Sequence, residues 1–260
     1  MTVLPATSTL TVMIVDDEAP ARARLRDLLA DISLDVPNAV VAEASNGLLA
    51  LAAIEGRTVD LVLVDIRMPK MDGIELARHL SQLEHPPVII FVTAYDTYAV
   101  QAFELNAVDY LLKPVRAQRL LAALQKARQS RPPPPQMLVQ LQQGARTHLS
   151  CHERGRLLLI PVSDVLYLKA DLKYVTARTA DREYLLDESL THLEQEFSER
   201  FIRLHRSVLV AKEAISGFER NASEDADTQW QALLRGVEEK LPVSRRQWPL
   251  VKSYAKQLSS

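Results

Sequence analysis

The chain has a single cysteine, Cys151. That excludes an intramolecular disulfide and fits a reducing compartment. It has almost no net charge, −2 over 260 residues, so nothing draws the whole molecule to nucleic acid or to a membrane surface. No apolar run approaches the roughly 18 residues of a membrane span. The opening residues, MTVLPATSTL, have neither a basic start nor an apolar signal segment, so the expectation is a soluble, cytoplasmic protein with no membrane partner. No internal repeat is visible. An apolar share of 47% is enough for real cores, and the length favours two domains over one.

Against those absences, one stretch stands out: Leu61-Val62-Leu63-Val64-Asp65-Ile66-Arg67-Met68-Pro69-Lys70-Met71-Asp72-Gly73. Four apolar residues in a row predict a strand buried on both faces, as in a parallel sheet. Asp65 closes that strand, and Met68-Pro69 and Asp72-Gly73 are turn punctuation before helical spacing from Ile74 to Leu83. Ligands of open parallel sheets sit at the carboxyl ends of strands, which is where Asp65 falls.

The pattern repeats along the first half. Strands are expected at Thr11–Val15, Val40–Ala44, Val88–Val92 and Tyr110–Leu112. Helices are expected from Pro20 to Ile32, Gly47 to Ile54, about Thr97 to Leu105 and about Arg116 to Arg128. Five β-α units predict a doubly wound α/β fold with a five-stranded parallel sheet. Four of the strands end in polar side chains: Asp16 and Asp17, Asp65, Thr93 and Lys113. With strand order 2-1-3-4-5 these converge on one sheet edge. Three close carboxylates are expected to raise one another's pKa, a cost that a divalent cation relieves. Oxygen-only ligands suit Mg²⁺. Lys113 offers a compact positive charge to a phosphoryl oxygen, Thr93 a hydroxyl donor, and Asp65 a nucleophile that would give an aspartyl phosphate.

At this constellation the sequence resembles the receiver domain of two-component response regulators, over about residues 10–129. The motifs are Val15-Asp16-Asp17-Glu18, the Asp65–Gly73 stretch, Thr93-Ala94 and Tyr110-Leu111-Leu112-Lys113-Pro114. The resemblance implies a flavodoxin-like fold and a sensor histidine kinase that phosphorylates Asp65. It implies Mg²⁺ held by Asp17, Asp65 and the Arg67 main-chain carbonyl, with Asp16 helping through water. It also implies a switch pair, Thr93 and Tyr110, that reorients on phosphorylation.

Residues 130–137 include four consecutive prolines and divide the chain. Polyproline II at ~3.1 Å per residue makes these a spacer of roughly 12 Å; a proline run can also be a ligand for a peptide-binding domain. Lys+Arg against Asp+Glu changes from 13 and 16 before residue 138 to 18 and 17 after it. In residues 138–260 the alternation stops. Short strand signals fall at Leu157–Ile160, Val165–Leu168, Tyr174–Arg178, Tyr184–Leu186, Val208–Ala211, Ile215–Glu219 and Trp230–Leu234. Helical spacing marks Ser189–Phe197 and Trp248–Leu258, and 221–227 reads as a polar acidic loop. The expectation is a mainly β domain of short antiparallel sheets. His148, Cys151 and His152 lack a fourth metal ligand and read as an alternating strand.

Basic clusters sit in expected loops, Arg203 to Arg206 and Ser244 to Arg246, although a domain charge of +1 is weak for a DNA binder. Here Tyr174-Val175, Phe201 to Val210 and Leu241 to Arg246 are similar to the LytTR DNA-binding domain, over about residues 140–258. Ala170 to Thr176 is most similar to the alginate-regulator subgroup. The resemblance implies loops that enter successive major grooves of double-stranded DNA. It carries contacts to Lys173, Tyr174, Arg206 and Arg245, with Arg203 and Arg246 as base or phosphate contacts. It also implies a homodimer of receivers placing two DNA-binding domains on tandem repeats. Two rival readings stand beside it. One is a phosphate-ester hydrolase using Asp65, disfavoured because no large insertion would form a pocket there. The other keeps the receiver but has the second half bind protein or RNA.

Overall fold

The computed structural model describes residues 8–94, 109–129, 144–171, 173–220 and 230–258, with residues 256–258 described by backbone alone. The helix expected at Thr97–Leu105, the proline-rich linker and the acidic loop lie outside them. The chain divides into two compact units, Met1–Gln143 and Gly144–Ser260.

In the first unit β1 (Leu10–Val15), α1 (Ala19–Asp31), β2 (Asn38–Ala44), α2 (Gly47–Ile54), β3 (Leu61–Val64), α3 (Gly73–Leu80), β4 (Val88–Thr93), β5 (Asp109–Leu112) and α4 (Ala117–Gln129) follow in order. The strands form one parallel sheet in the order β2-β1-β3-β4-β5. Period-2 alternation divides each central strand between two cores. Val12, Ile14, Leu61, Leu63, Ile90 and Val92 meet Leu25, Leu28 and Leu29 of α1 and Leu120 and Leu124 of α4. Met13, Val15, Val62, Val64 and Phe91 are as fully buried on the other face. Both faces are apolar, so these strands read as unbroken runs. Burying each such side chain contributes about 1.5–3 kcal/mol. α3 ends at Leu80, shorter than the expected Leu83, with the Ser81 N–H capping back to the Ala77 carbonyl. The Lys113–Pro114 peptide is cis.

The second unit is antiparallel throughout. A hairpin joins β6 (His148–Glu153) to β7 (Arg156–Pro161). Its two-residue turn, Arg154-Gly155, has both φ angles positive, the geometry that matches strand twist. β8 (Tyr167–Asp171), β9 (Tyr174–Arg178), β10 (Glu183–Leu186), β11 (Phe201–His205) and β12 (Val208–Ala211) form a sheet in the order β10-β9-β8-β12-β11. A third sheet holds β13 (Ile215–Arg220), β14 (Trp230–Leu234) and β15 (Leu241–Val243). Among the described residues the unit also holds two α-helices, α5 (Leu190–Glu196) and α6 (Trp248–Leu258).

Two expectations are corrected here. Val165–Leu168 is not one strand: Val162–Asp164 is a 3₁₀ turn, and β8 begins at Tyr167. Val165 closes that turn with an extended backbone and is fully buried, but it lies ahead of the paired strand. Arg203 to His205 belongs to strand β11 rather than a loop. Its alternation is masked because β11 is covered on both faces. Phe201 packs with α5, while Ile202 and Leu204 pack with β14 and β15. β15, for which no strand was expected, carries Pro242 and is an edge strand, where a missing N–H is tolerated. As expected, β6 is a strand, but burial does not alternate along it: Leu149, Ser150 and Cys151 are buried, and His152 and Glu153 are exposed.

Candidate functional site

The parallel register brings the polar strand ends together. The Asp65 N–H donates to the Val15 carbonyl at 2.8 Å, and the Lys113 N–H to the Thr93 carbonyl at 2.9 Å. These ladder bonds align the ends of four strands at one edge. Carboxylate oxygens of Asp16, Asp17 and Asp65 lie within 4.8 Å of one another. Lys113 Nζ stands 2.6 Å from Asp65 Oδ2 and 2.7 Å from Asp16 Oδ2, with Glu18 Oε2 at 3.8 Å. Asp16 and Asp65 are buried, whereas Asp17 is exposed.

Burial is what raises the Asp16 pKa, against the bonds from Lys113 and the Glu18 N–H; the neighbouring Asp65 charge is the smallest contributor. The expected carboxylate repulsion is present at Asp16, where Asp65 raises the pKa, but burial is the larger cause. Burial also works against the Lys113 ammonium, but its bonds to Asp16 and Asp65 outweigh that and hold its pKa above the usual lysine value. Thr93 is fully buried at the end of β4. Tyr110 sits half-buried on β5, paired with Phe91, two residues before the pair Leu112–Thr93. The Arg67 N–H donates to Asp65 Oδ1 at 3.3 Å, so the loop after β3 folds back on its carboxylate.

Two residues in this site carried no sequence signal as functional groups. Arg22 of α1 donates from Nη1 to the Asp16 carbonyl at 2.7 Å and reaches Glu43 at 3.5 Å. It braces the loop bearing Asp16 and Asp17. Gly73, noted only as a turn residue, starts α3 with its N–H on the Ile66 carbonyl at 2.8 Å. A β-carbon there would overlap the Asp65 carbonyl oxygen and lie 2.9 Å from the carbonyl carbon. Asp72 caps the helix by accepting from the Glu75 N–H at 2.7 Å.

In the second unit the basic residues gather at one end of a sheet. The turn that carries Lys173 joins β8 to β9 beside the Asp171–Tyr174 pair, and β11 turns into β12 through Arg206-Ser207. Val208 pairs with Lys169, so both turns lie on the same side, joined by the Ala170 N–H to the Ser207 carbonyl at 2.8 Å. The Ser244 N–H donates to the Leu204 carbonyl at 2.9 Å, which brings the segment after β15 to that end too. Lys173, Tyr174, Arg206, Arg245 and Arg246 are all exposed there. Lys173 Nζ lies 5.6 Å above the Tyr174 ring. Trp230 and Trp248 stack at 4.1 Å and, with Val243 and Arg245, line a recess beside the last of these segments. Arg203 differs from the others: its side chain turns inward to Glu194. No helix among the described residues is long and apolar enough to cross a membrane.

Residues 12–125 match the response regulator receiver domain, and residues 155–256 match the LytTr DNA-binding domain. Across its length the chain is similar to the positive alginate biosynthesis regulatory protein of Pseudomonas aeruginosa. The two are 44% identical over 242 residues, which is 90% of this chain and 94% of that protein. It is also similar to the transcriptional regulatory protein BtsR of Salmonella typhi, at 36% identity over 76% of this chain and 81% of that protein. Among solved structures, the response regulatory domain of mrkE from Klebsiella pneumoniae is 38% identical. That comparison covers 45% of this chain and 94% of that one, with a TM-score of 0.41.

Proposed function

Because the chain belongs to the response regulators that join a receiver domain to a LytTR DNA-binding domain, acting in transcription regulation, we propose that Asp65 is its phosphoacceptor and Arg206 its central DNA contact. One observation carries the first assignment: a lysine ammonium held between two buried carboxylates, 2.6 Å from Asp65. A sensor histidine kinase would supply the phosphoryl group. The Asp65 oxygen would form the new bond to phosphorus as the phosphohistidine N–P bond breaks, leaving an acyl phosphate.

The donor set fits a hard divalent cation: three carboxylates with oxygens within 4.8 Å of one another. Asp17, Asp65 and the Arg67 carbonyl would hold Mg²⁺, with Asp16 assisting. When bound, the ion neutralises charge on the phosphoryl oxygens. Lys113 would then move its bond from the Asp65 carboxylate to a phosphoryl oxygen, and Thr93 would offer its hydroxyl. Thr93 and Tyr110 occupy neighbouring strands at one edge, which supports their reading as the switch pair. Phosphorylation biases a two-state equilibrium rather than creating a new state. In the proposed cycle it favours a receiver homodimer in the cytoplasm and sets two DNA-binding units on tandem repeats.

For the second unit, three sequence-distant loops converging at one sheet end support groove contacts by Lys173, Tyr174, Arg206 and Arg245, with Arg246 on phosphate. An arginine bidentate to guanine is worth ~1–3 kcal/mol of discrimination. Arg206→Ala is therefore expected to weaken binding to a selected duplex by roughly 5- to 150-fold, read by fluorescence anisotropy at fixed salt. Unchanged binding would point instead to a protein or RNA partner.

The chain's only two tryptophans are Trp230 and Trp248, both beside Arg245. Intrinsic emission is therefore expected to change as duplex is added and to follow the anisotropy curve. Arg245→Ala should remove most of that change. Flat emission through a saturating titration would take Arg245 out of the interface.

A further inference from the structure

Arg203 lies in the same strand that leads to Arg206, and the LytTR resemblance made it a possible DNA contact. Its guanidinium is already engaged inside the unit. Nη1 donates to Glu194 Oε2 at 2.6 Å, Nε to the His205 carbonyl at 3.1 Å, and Nη2 to the Arg206 carbonyl at 2.6 Å. A planar fork of this kind fixes direction as well as distance. Two of its three bonds end on main-chain carbonyls of the turn that presents Arg206.

The other end of the fork is anchored as well. Glu194 belongs to α5, a short helix whose position is set from its opposite side. Arg146, buried, pairs with Glu196 of α5 at 2.9 Å and with Glu188 just ahead of it at 2.8 Å. Its guanidinium also lies 5.8 Å from the Phe197 ring. Leu190 and Leu193 seat the helix on the same core as Phe201. Glu194 thus offers its carboxylate from a fixed base.

We propose that Glu194, an acidic residue, is a positioning residue for sequence reading: through Arg203 it holds the 205–207 turn so that Arg206 enters the groove at one angle. The inference rests on Arg206 being a DNA contact. Its sign separates it from plain electrostatics. Removing a negative charge near a DNA-binding edge should strengthen attraction to phosphate. Loss of a positioning carboxylate should instead weaken binding to the selected duplex alone.

The test uses full-length protein, a duplex selected from a random pool and a scrambled duplex, at one stated salt and across a salt series. Glu194→Gln is the first variant; its side chain is 39% exposed, so the substitution leaves no buried hole. The expected result is a roughly 5- to 10-fold loss on the selected duplex, with scrambled binding unchanged or tighter and the melting temperature retained. Arg203→Lys keeps the charge but not the fork. It should show the same loss of selectivity with an unaltered salt slope. A phosphate contact at position 203 would predict the opposite: Arg203→Lys close to wild type, and Arg203→Ala lowering the slope by about one.

Selected-duplex binding by Glu194→Gln equal to or tighter than wild type would overturn the proposal. Arg206→Ala, run alongside, separates the two ways of failing. If it lowers selectivity while Glu194→Gln does not, only the positioning role falls. If Arg206→Ala also leaves selectivity intact, the DNA-contact assignment falls and the positioning role with it.

Discussion

Asp65→Asn is expected to abolish phosphate uptake. Wild-type protein incubated with Mg²⁺ and acetyl phosphate should gain one phosphoryl group by intact mass, and the variant none. The amide keeps the shape of the carboxylate but loses the charged oxygen that attacks phosphorus. The loss should not come from unfolding. Lys113 Nζ has a second buried partner, Asp16 Oδ2 at 2.7 Å, so the ammonium keeps a counter-charge when Asp65 is neutralised. The cluster of Asp16, Asp17 and Asp65 also carries more negative charge than one lysine balances. Removing one carboxylate relieves that repulsion, and the melting temperature should stay level or rise slightly. Phosphate uptake by Asp65→Asn at the wild-type rate would place the nucleophile elsewhere. Steady turnover of phosphate esters by wild type would favour a hydrolase.

Gly73→Ala should unfold the first unit several degrees early. The reason is space, not backbone angle. A β-carbon at Gly73 would overlap the Asp65 carbonyl oxygen and come within 2.9 Å of its carbon and 3.0 Å of Val64 Cγ2. Two of those three atoms are main chain, so no rotamer change relieves the clash. Either α3 withdraws from the sheet edge or the Asp65 peptide tilts. Overpacking of this kind costs about 1–3 kcal/mol. At roughly 3–6 °C per kcal/mol, between the values for about 60–100 and about 150–250 residues, that is a drop on the order of 10 °C. Because the displaced peptide is that of Asp65, phosphate uptake should slow as well. Gly217→Ala makes the control, since only Leu233 Cδ1, at 4.0 Å, would meet its β-carbon. Its melting temperature should hold or rise a little. A Gly73→Ala protein with wild-type melting and wild-type phosphate uptake would refute the close-approach account.

The parallel sheet was open to reading because burial on both faces writes itself as apolar runs, and because each run ends in a polar residue. Val12 to Val15, Leu61 to Val64 and Val88 to Val92 needed no tertiary information, and neither did the identity of Asp16, Asp65, Thr93 and Lys113 as strand-end groups. The second unit was less legible where one residue obeys two demands. β11 packs Phe201 toward one core and Ile202 and Leu204 toward another, so the period-2 signal vanishes and its charges read as a loop. Pro242 hid β15 because an edge position cannot be known from composition.

Residue chemistry and local periodicity determined which groups are available: carboxylates, a lysine, a hydroxyl and a set of arginines at the ends of strands. Their working relations were decided only in three dimensions. Sequence separations of 48 and more between Lys113 and its two carboxylates close to 2.6–2.7 Å because parallel register aligns the strand ends. Glu194 and Arg146 acquire their roles through the packing of α5, and Gly73 through the approach of a helix to a peptide. Arg203 and Arg206 are three residues apart and both basic, yet one faces inward and the other outward. Arg203 sits within strand β11 and Arg206 in the turn that follows it, since a side chain's direction is a property of the fold and not of its charge.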